Sequence, residues 1–184
     1  MTIFVSAGHH AEKQGARHRW FKEYPEALHW QNCLVYHLGT DAAAVPAGYL
    51  AKKVAFINDH GTKRDLAVEV HFNAAVDEAG NPVGRGSETL YYPGSEAGRW
   101  AAERVQATLA THLRPDRGIK EGYYQMDPSN GPDYFLARIP MPALIVEPGF
   151  VHHHEELTEL REAACRDLAE ALRSTHDELR KGAR

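Results

Sequence analysis

Three polar side chains stand where apolar segments end, and their types suit metal binding or proton transfer. His9 follows the apolar run of residues 3–6 after a single Ala-Gly step, and the glycine lets the backbone turn sharply. His71 lies at the far end of an alternating segment. Glu147 closes the apolar run of residues 143–147, where a carboxylate has no packing role. Imidazole and carboxylate groups are common ligands of divalent metals and common acids and bases.

The segments that carry these residues alternate between strand and helix patterns. Apolar side chains at every second position predict strands over residues 66–73 and 87–92, beside the short apolar runs 3–6 and 143–147. Apolar side chains at helical spacing predict four helices, over residues 23–38, 49–58, 97–113 and 155–179. This alternation favours an α/β fold, and we see no linker or repeat that would divide residues 1–184 into more than one domain.

Two segments show little periodicity. Residues 11–22 are polar and are predicted to be a loop. Residues 114–142 are rich in Pro, Gly, Asp and Tyr, and an irregular segment of that length in a compact domain is more often functional than idle.

Ligands of α/β sheets bind at the carboxyl ends of the strands, so His9, His71 and Glu147 are expected to converge on one cleft. A metal site is one interpretation. The other is three unrelated polar residues at loop starts, because scattered ligands are a weaker pattern than two histidines on one helix turn. Glu69 shares a strand face with His71, which leaves open a hydrogen bond between them or an ordinary polar contact.

Composition excludes some classes of function. Of the 184 residues, 43% are hydrophobic and 25% are charged, and the formal net charge is −4. No dense Lys/Arg cluster is present, which argues against a nucleic-acid partner and against adhesion to anionic surfaces. No apolar stretch approaches 18 residues, so no membrane insertion is expected. The two cysteines, Cys33 and Cys165, occupy apolar helix positions and are predicted to be reduced, with a disulfide as the alternative.

Five motifs, and a sixth segment near residue 118, carry a resemblance to a known family. They are Ser6-Ala7-Gly8-His9, Lys22-Glu23, the segment from Leu66 to Ala74 with His71-Phe72-Asn73, Gly86-Ser87-Glu88, Ile145-Val146-Glu147-Pro148-Gly149-Phe150, and Asp116-Arg117-Gly118-Ile119-Lys120. In this order they resemble the zinc-dependent N-acetylmuramoyl-L-alanine amidases of the Amidase_3 type, over nearly the whole chain. The resemblance implies a mixed, mainly parallel twisted sheet flanked by helices.

The resemblance also implies roles for individual residues. It assigns zinc binding to His9, Glu23 and His71, and catalysis to Glu147. Glu26 is a rival to Glu23 because it lies three residues further along the same helix, and Glu12 is a weaker one. When the family's helix is aligned with this one, Asn32 and Leu38 fall at the positions that the family pattern requires only if Glu23 is the ligand. The resemblance therefore favours Glu23.

The implied reaction is hydrolysis of the amide bond between N-acetylmuramic acid and L-alanine in peptidoglycan. Asn73, Arg117 and Lys120 are predicted to bind substrate, with the two cations facing carboxylates of the stem peptide; the alternative for the cations is simple solvation. Two other functions stay open: a zinc carboxypeptidase acting on cell-wall peptides, and a non-catalytic wall-binding protein, which would be expected to lack a ligand or the base.

The start of the sequence lacks the charged and long apolar regions of a signal peptide. With no wall-binding module recognised either, the sequence resembles a phage or prophage lysin. Such a protein is expected to stay in the host cytoplasm until release, or to travel on a virion. The sequence leaves the oligomeric state open.

Overall fold

Segments with apolar residues at alternate positions form most of a central sheet in the computed structural model, which describes residues 2–182. Met1, Ala183 and Arg184 of the predicted domain lie outside the described residues. The strands are β1 (Ile3–Ala7), β2 (Arg17–His18), β3 (Phe21–Lys22), β4 (Ala42–Ala44), β5 (Leu66–Val70), β6 (Ser87–Tyr91), β7 (Asp116–Glu121) and β8 (Ala143–Glu147). The helices are α1 (Glu23–Leu38), α2 (Leu50–His60), α3 (Glu96–His112), α4 (Tyr134–Arg138) and α5 (His154–Arg180).

The main sheet has six strands in the order β4-β1-β5-β8-β6-β7. β4, β1, β5 and β8 are mutually parallel, β6 runs antiparallel to β8, and β7 runs parallel to β6. The predicted mixed and mainly parallel sheet is therefore confirmed. Because β6 is reversed, the starts of β6 and β7 lie at the same edge as the carboxyl ends of β1, β5 and β8.

Both faces of the sheet are buried, and the period of two sorts side chains between them. Val5 and Val68 belong to the core that packs under α1, α3 and α5. Phe4 and Ala67, one residue earlier, belong to the core that packs under α2 and α4. Glu69 lies two residues after Ala67 on β5, so it is on the face covered by α2 and α4. This face is opposite the larger apolar side chains of β5, as the alternation predicts.

The predicted helices are close to those observed. The bounds of α1 are as predicted, and Gly39 ends it with a positive φ of 58° that a residue with a side chain rarely adopts. α5 differs from its prediction by one residue at each end. Among residues 2–182, no helix combines the length and the apolar character that crossing a bilayer requires.

The prediction of irregular structure was wrong in three places. Residues 114–142 contain β7 and the short helix α4, and residues 11–22 contain the antiparallel hairpin of β2 and β3. β7 has the polar sequence Asp-Arg-Gly-Ile-Lys-Glu, so it carries no hydrophobic alternation. It is a strand because its backbone pairs with β6 at the sheet edge, which the side chains do not reveal.

Candidate metal centre

Glu23 is the first residue of α1, and backbone N–H groups hold both of its carboxylate oxygens. Ala16 donates its N–H to Oε2 at 2.7 Å, and Phe72 donates its N–H to Oε1 at 3.0 Å. Ala16 precedes the β2–β3 hairpin, and Phe72 follows β5. The carboxylate is thus fixed between two segments that are far apart in sequence, with only 3% of the residue exposed.

His9 and His71 meet this carboxylate from the ends of neighbouring parallel strands. His9 Nε2 lies 3.0 Å from Glu23 Oε2, and His71 Nδ1 lies 3.0 Å from Glu23 Oε1. The ligand atoms of all three side chains lie within 4.8 Å of one another. The structure therefore brings together the three residues that the sequence predicts as metal ligands.

The rival carboxylates are engaged elsewhere. Glu26 Oε1 accepts from Trp30 Nε1 at 3.0 Å and from Arg161 Nη1 at 2.7 Å. The carboxylate of Glu12 accepts a hydrogen bond from the hydroxyl of Tyr49. Neither carboxylate belongs to the group that His9 and His71 form with Glu23.

Two glycines let the backbone pass close to this group. A Cβ placed on Gly8 would lie 2.5 Å from His71 Cε1, and one on Gly15 would lie 2.3 Å from Glu23 Oε2. Gly15 also has a positive φ of 71°. Two imidazoles and a carboxylate, packed this closely by backbone with no room for a side chain, fit the ligand set of a zinc ion with one open position.

Glu69 holds the other ring nitrogen of His71. The distance from His71 Nε2 to Glu69 Oε2 is 3.1 Å, so the hydrogen bond left open by the sequence is present. Lys53 Nζ lies 3.3 Å from Glu69 Oε1 and donates to the carbonyl oxygen of His9 at 2.7 Å. Sequence reasoning missed Lys53, although it lies three residues after Leu50, on the inward face of α2.

Without a metal, these contacts shift the acid–base behaviour of the group. Burial raises the pKa of Glu23, but hydrogen bonds from His71 and His9 outweigh it and lower that pKa to about 2. Burial lowers the pKa of His71, but hydrogen bonds to Glu23 and Glu69 outweigh it and raise that pKa well above its ordinary value. The two carboxylates therefore favour the protonated form of the His71 imidazole.

Glu147 ends β8, directly beside these ligands. The backbone N–H of His71 donates to the carbonyl oxygen of Val146 at 2.9 Å, and Glu147 faces Glu88 across the β8–β6 pair. Oε2 of Glu147 is buried and has no hydrogen-bond partner among the described residues. Burial, aided by the charges of Glu88 and Glu23 and opposed by that of His71, raises the pKa of Glu147 to about 8.

Glu88 also lies at the site, although from the sequence it was named only as part of the motif Gly86-Ser87-Glu88 and was given no role. It is 3% exposed and accepts from Asn73 Nδ2 at 2.9 Å, from Arg117 Nε at 2.8 Å, and from the ammonium of Lys120. Burial raises the pKa of Glu88, and the hydrogen bonds from Lys120 and Arg117 lower it below the ordinary value. The three predicted substrate-binding side chains thus meet a carboxylate of the chain itself, and their contact with substrate stays a prediction.

Comparison with known proteins identifies the family of this chain. A family model described as N-acetylmuramoyl-L-alanine amidase, Amidase_3, matches residues 3–174. The chain belongs to the Amidase_3 family.

Relatives of this Amidase_3 domain come from several bacteria. The amidase LytC of Bacillus subtilis is 30% identical over 117 residues, which is 61% of this chain and 20% of LytC. Cwp6 from Clostridium difficile superposes with a TM-score of 0.77 at 19% identity, covering 95% of this chain and 29% of Cwp6. The catalytic domain of the CD27L endolysin, which targets C. difficile, gives 0.70 at 23% identity, covering 95% and 97%.

The two structural likenesses establish the fold of this Amidase_3 chain. The chain spans about a fifth of the length of LytC and 29% of the length of Cwp6, so it corresponds to one part of those proteins.

Proposed function

We propose that the chain is a zinc-dependent amidase that hydrolyses the bond between the lactyl carbonyl of N-acetylmuramic acid and L-alanine in peptidoglycan. The observation that carries the proposal is the group formed by His9, Glu23 and His71, whose ligand atoms lie within 4.8 Å of one another. Membership of the amidase family supports the choice of bond.

His9 Nε2, His71 Nδ1 and a Glu23 oxygen would hold the ion. Glu69 would keep His71 oriented, because it bonds the ring nitrogen that faces away from Glu23. A zinc ion bound here would supply a Lewis acid that polarises a carbonyl and makes water more acidic.

Glu147 is the group that would move the proton. In its ionised form Glu147 has a buried, unpartnered Oε2 that can accept a proton from the attacking water, and its raised pKa makes that carboxylate a stronger base than an ordinary one. Water adds to the carbonyl carbon, the carbon–nitrogen bond breaks, and the proton goes from Glu147 to the leaving nitrogen. The products are a lactyl carboxylate and a peptide with a free L-alanine amine.

The test compares wild type with Glu147→Gln on purified peptidoglycan. Loss of a general base costs about 10²–10⁴-fold, so we expect peptide release to fall by that factor while the zinc content stays the same. Glu159→Gln, which alters an exposed carboxylate on α5, is the matched control and should keep full activity. A Glu147→Gln protein that cleaves as fast as wild type, or a wild type that binds no zinc, refutes the proposal.

End groups on the digested wall distinguish the competing functions. An amidase creates new amino-terminal L-alanine, whereas a carboxypeptidase releases the last amino acid of the stem peptide. A non-catalytic wall-binding protein creates neither. A carboxypeptidase would use an arginine to bind the terminal carboxylate of its substrate, and Arg117 is bonded to Glu88 instead.

The lysin type of delivery is part of the proposal and is tested with the same two proteins. Wild type made inside bacteria whose isolated wall it digests should leave the cells intact until the membrane is permeabilised, and should then lyse them. Glu147→Gln should not lyse them. Lysis of wild-type cultures before permeabilisation contradicts this route.

A further inference from the structure

Sulfur, imidazole and carboxylate groups meet between α1 and α5, outside the metal centre described above. Cys33 and His37 are one turn apart on α1, and Glu162 and Cys165 are three residues apart on α5, so each pair lies on one helix face. We call these four residues the α1–α5 cluster. They include both cysteines of the chain.

The donor atoms of the α1–α5 cluster are already close together. Cys33 Sγ lies 3.3 Å from Glu162 Oε2, and His37 Nε2 lies 2.8 Å from Glu162 Oε1. The ligand atoms of these three residues lie within 4.8 Å of one another. The Cys165 thiol interacts with the Cys33 sulfur, and both cysteines are free rather than joined in a disulfide.

We propose that the α1–α5 cluster is a second metal site, which binds Zn²⁺ through Cys33, His37, Glu162 and, as the fourth ligand, Cys165. Thiolate, imidazole and carboxylate are the ligands that tetrahedral zinc sites use. Zinc bond lengths place tetrahedral S–O and N–O pairs about 3.4–3.6 Å apart, so the Cys33–Glu162 and His37–Glu162 pairs need to change by only about half an ångström. Cys165, which donates to the carbonyl oxygen of Trp30 at 3.9 Å, lies outside that close group and would move further to bind the ion.

Neighbouring charges leave room for a cation at the α1–α5 cluster. Arg161 Nη1 is bonded to Glu26 at 2.7 Å, and Arg166 Nε is bonded to Asp167 at 2.9 Å. Among the described residues, the carboxylate of Glu162 bonds to His37 and Cys33, and 74% of its side chain is exposed. An ion can therefore enter from solvent and replace the thiol proton of Cys33.

A metal bound at the α1–α5 cluster would connect α1 to α5 away from the residues proposed to carry out hydrolysis. α1 begins at Glu23, while Cys33 and His37 lie near its other end. The site would therefore stabilise the packing of α5 on α1 rather than take part in hydrolysis, since structural zinc adds its binding free energy to folding.

The test uses cobalt as a spectroscopic substitute for zinc. Only a cobalt–sulfur bond gives a thiolate-to-cobalt charge-transfer band, and the ligands proposed for the other centre are His9, Glu23 and His71, without sulfur. Fully reduced, metal-free wild type should develop this band on Co²⁺ addition. His37→Gln and Cys33→Ser should lose it, whereas the matched control His29→Gln, an exposed histidine on α1, should keep it.

Zinc content gives a second readout that does not depend on the hydrolase proposal. Wild type should hold one more zinc per chain than His37→Gln, and Glu23→Gln should retain the zinc of the α1–α5 cluster. The circular dichroism of each variant shows whether it is folded. No charge-transfer band in reduced wild type, or equal zinc content in folded His37→Gln and wild type, overturns the inference.

Discussion

His71 bonds two carboxylates, one at each ring nitrogen. Its Nδ1 lies 3.0 Å from Glu23 and its Nε2 lies 3.1 Å from Glu69. Burial alone would lower its pKa, but these two hydrogen bonds raise it well above the ordinary value. A proton thus occupies the nitrogen that the proposed metal needs.

Zinc binding to the metal-free protein should therefore release a proton from His71. Because the pKa of His71 is raised, a proton competes with zinc for its ring nitrogen up to a higher pH than in an ordinary imidazole, so apparent zinc affinity should increase with pH. Titration calorimetry in buffers of different ionisation enthalpy measures the proton release, and competition with a chelator measures the affinity. An affinity that is the same at every pH, with no proton released, would contradict the pKa shift.

Glu147 and Glu88 show how neighbouring carboxylates can differ. Burial raises the pKa of Glu147 to about 8, whereas Lys120 and Arg117 keep the pKa of Glu88 low. The ion pairs of Glu88 keep its negative charge beside Glu147, which favours the protonated form of Glu147. Glu147 can thus exchange a proton near neutral pH while Glu88 cannot.

At the scale of elements, the turn between β1 and the β2–β3 hairpin sets how closely the ligands approach. Gly15 passes so near that a Cβ would meet Glu23 Oε2 at 2.3 Å and His9 Cδ2 at 2.4 Å. The turn also donates the Ala16 N–H to Glu23. The loop therefore positions two of the three ligands, although it contributes little to the core.

Gly15→Ala should weaken zinc binding by at least about tenfold, because the new methyl group displaces His9 and Glu23. Its backbone strain costs about 1–2 kcal/mol, since φ is positive. Gly80→Ala is the matched control: Gly80 has a φ of 82°, and its Cβ would meet nothing within 4 Å. Zinc affinity measured on both variants separates strain from displacement, and equal affinities would refute the role of Gly15.

At the scale of the whole molecule, helices on both faces of the sheet support the same centre. α1 supplies Glu23 from one face, and α2 supplies Lys53 from the other. Lys53 is 3% exposed, bonds the carbonyl oxygens of Ala7 and His9, and pairs with Glu69 at 3.3 Å. The end of β1 is thereby tied to the network that orients His71.

Lys53→Met should lower the free energy of unfolding by about 3–5 kcal/mol, because it removes the ammonium of the buried Lys53–Glu69 pair and the hydrogen bonds it donates to the carbonyl oxygens of Ala7 and His9. Lys52→Met removes an exposed lysine from the same helix and should change stability by less than about 0.5 kcal/mol. Denaturant unfolding of both metal-free variants at neutral pH measures the difference. Equal midpoints for the two would show that the Lys53–Glu69 pair contributes nothing.

Local patterns determined those elements whose side chains report burial. The bounds of α1 and β8 follow from apolar spacing because these elements pack against the core, as in the prediction. The strand predicted over residues 66–73 ends at Val70, so His71 follows the strand rather than belonging to it. β7 escaped prediction because its polar side chains carry no burial signal.

The sequence by itself determined the chemistry available at the metal centre: His9 and His71 at strand ends, with Glu147 closing a third strand. Only the tertiary structure decided which further groups complete that centre. It directs Glu23 rather than Glu26 to the histidines, and it brings Lys53 and Glu88 beside them. The reason is that periodicity records whether a side chain is buried, whereas the partner it meets depends on the pairing of strands and helices far apart in the chain.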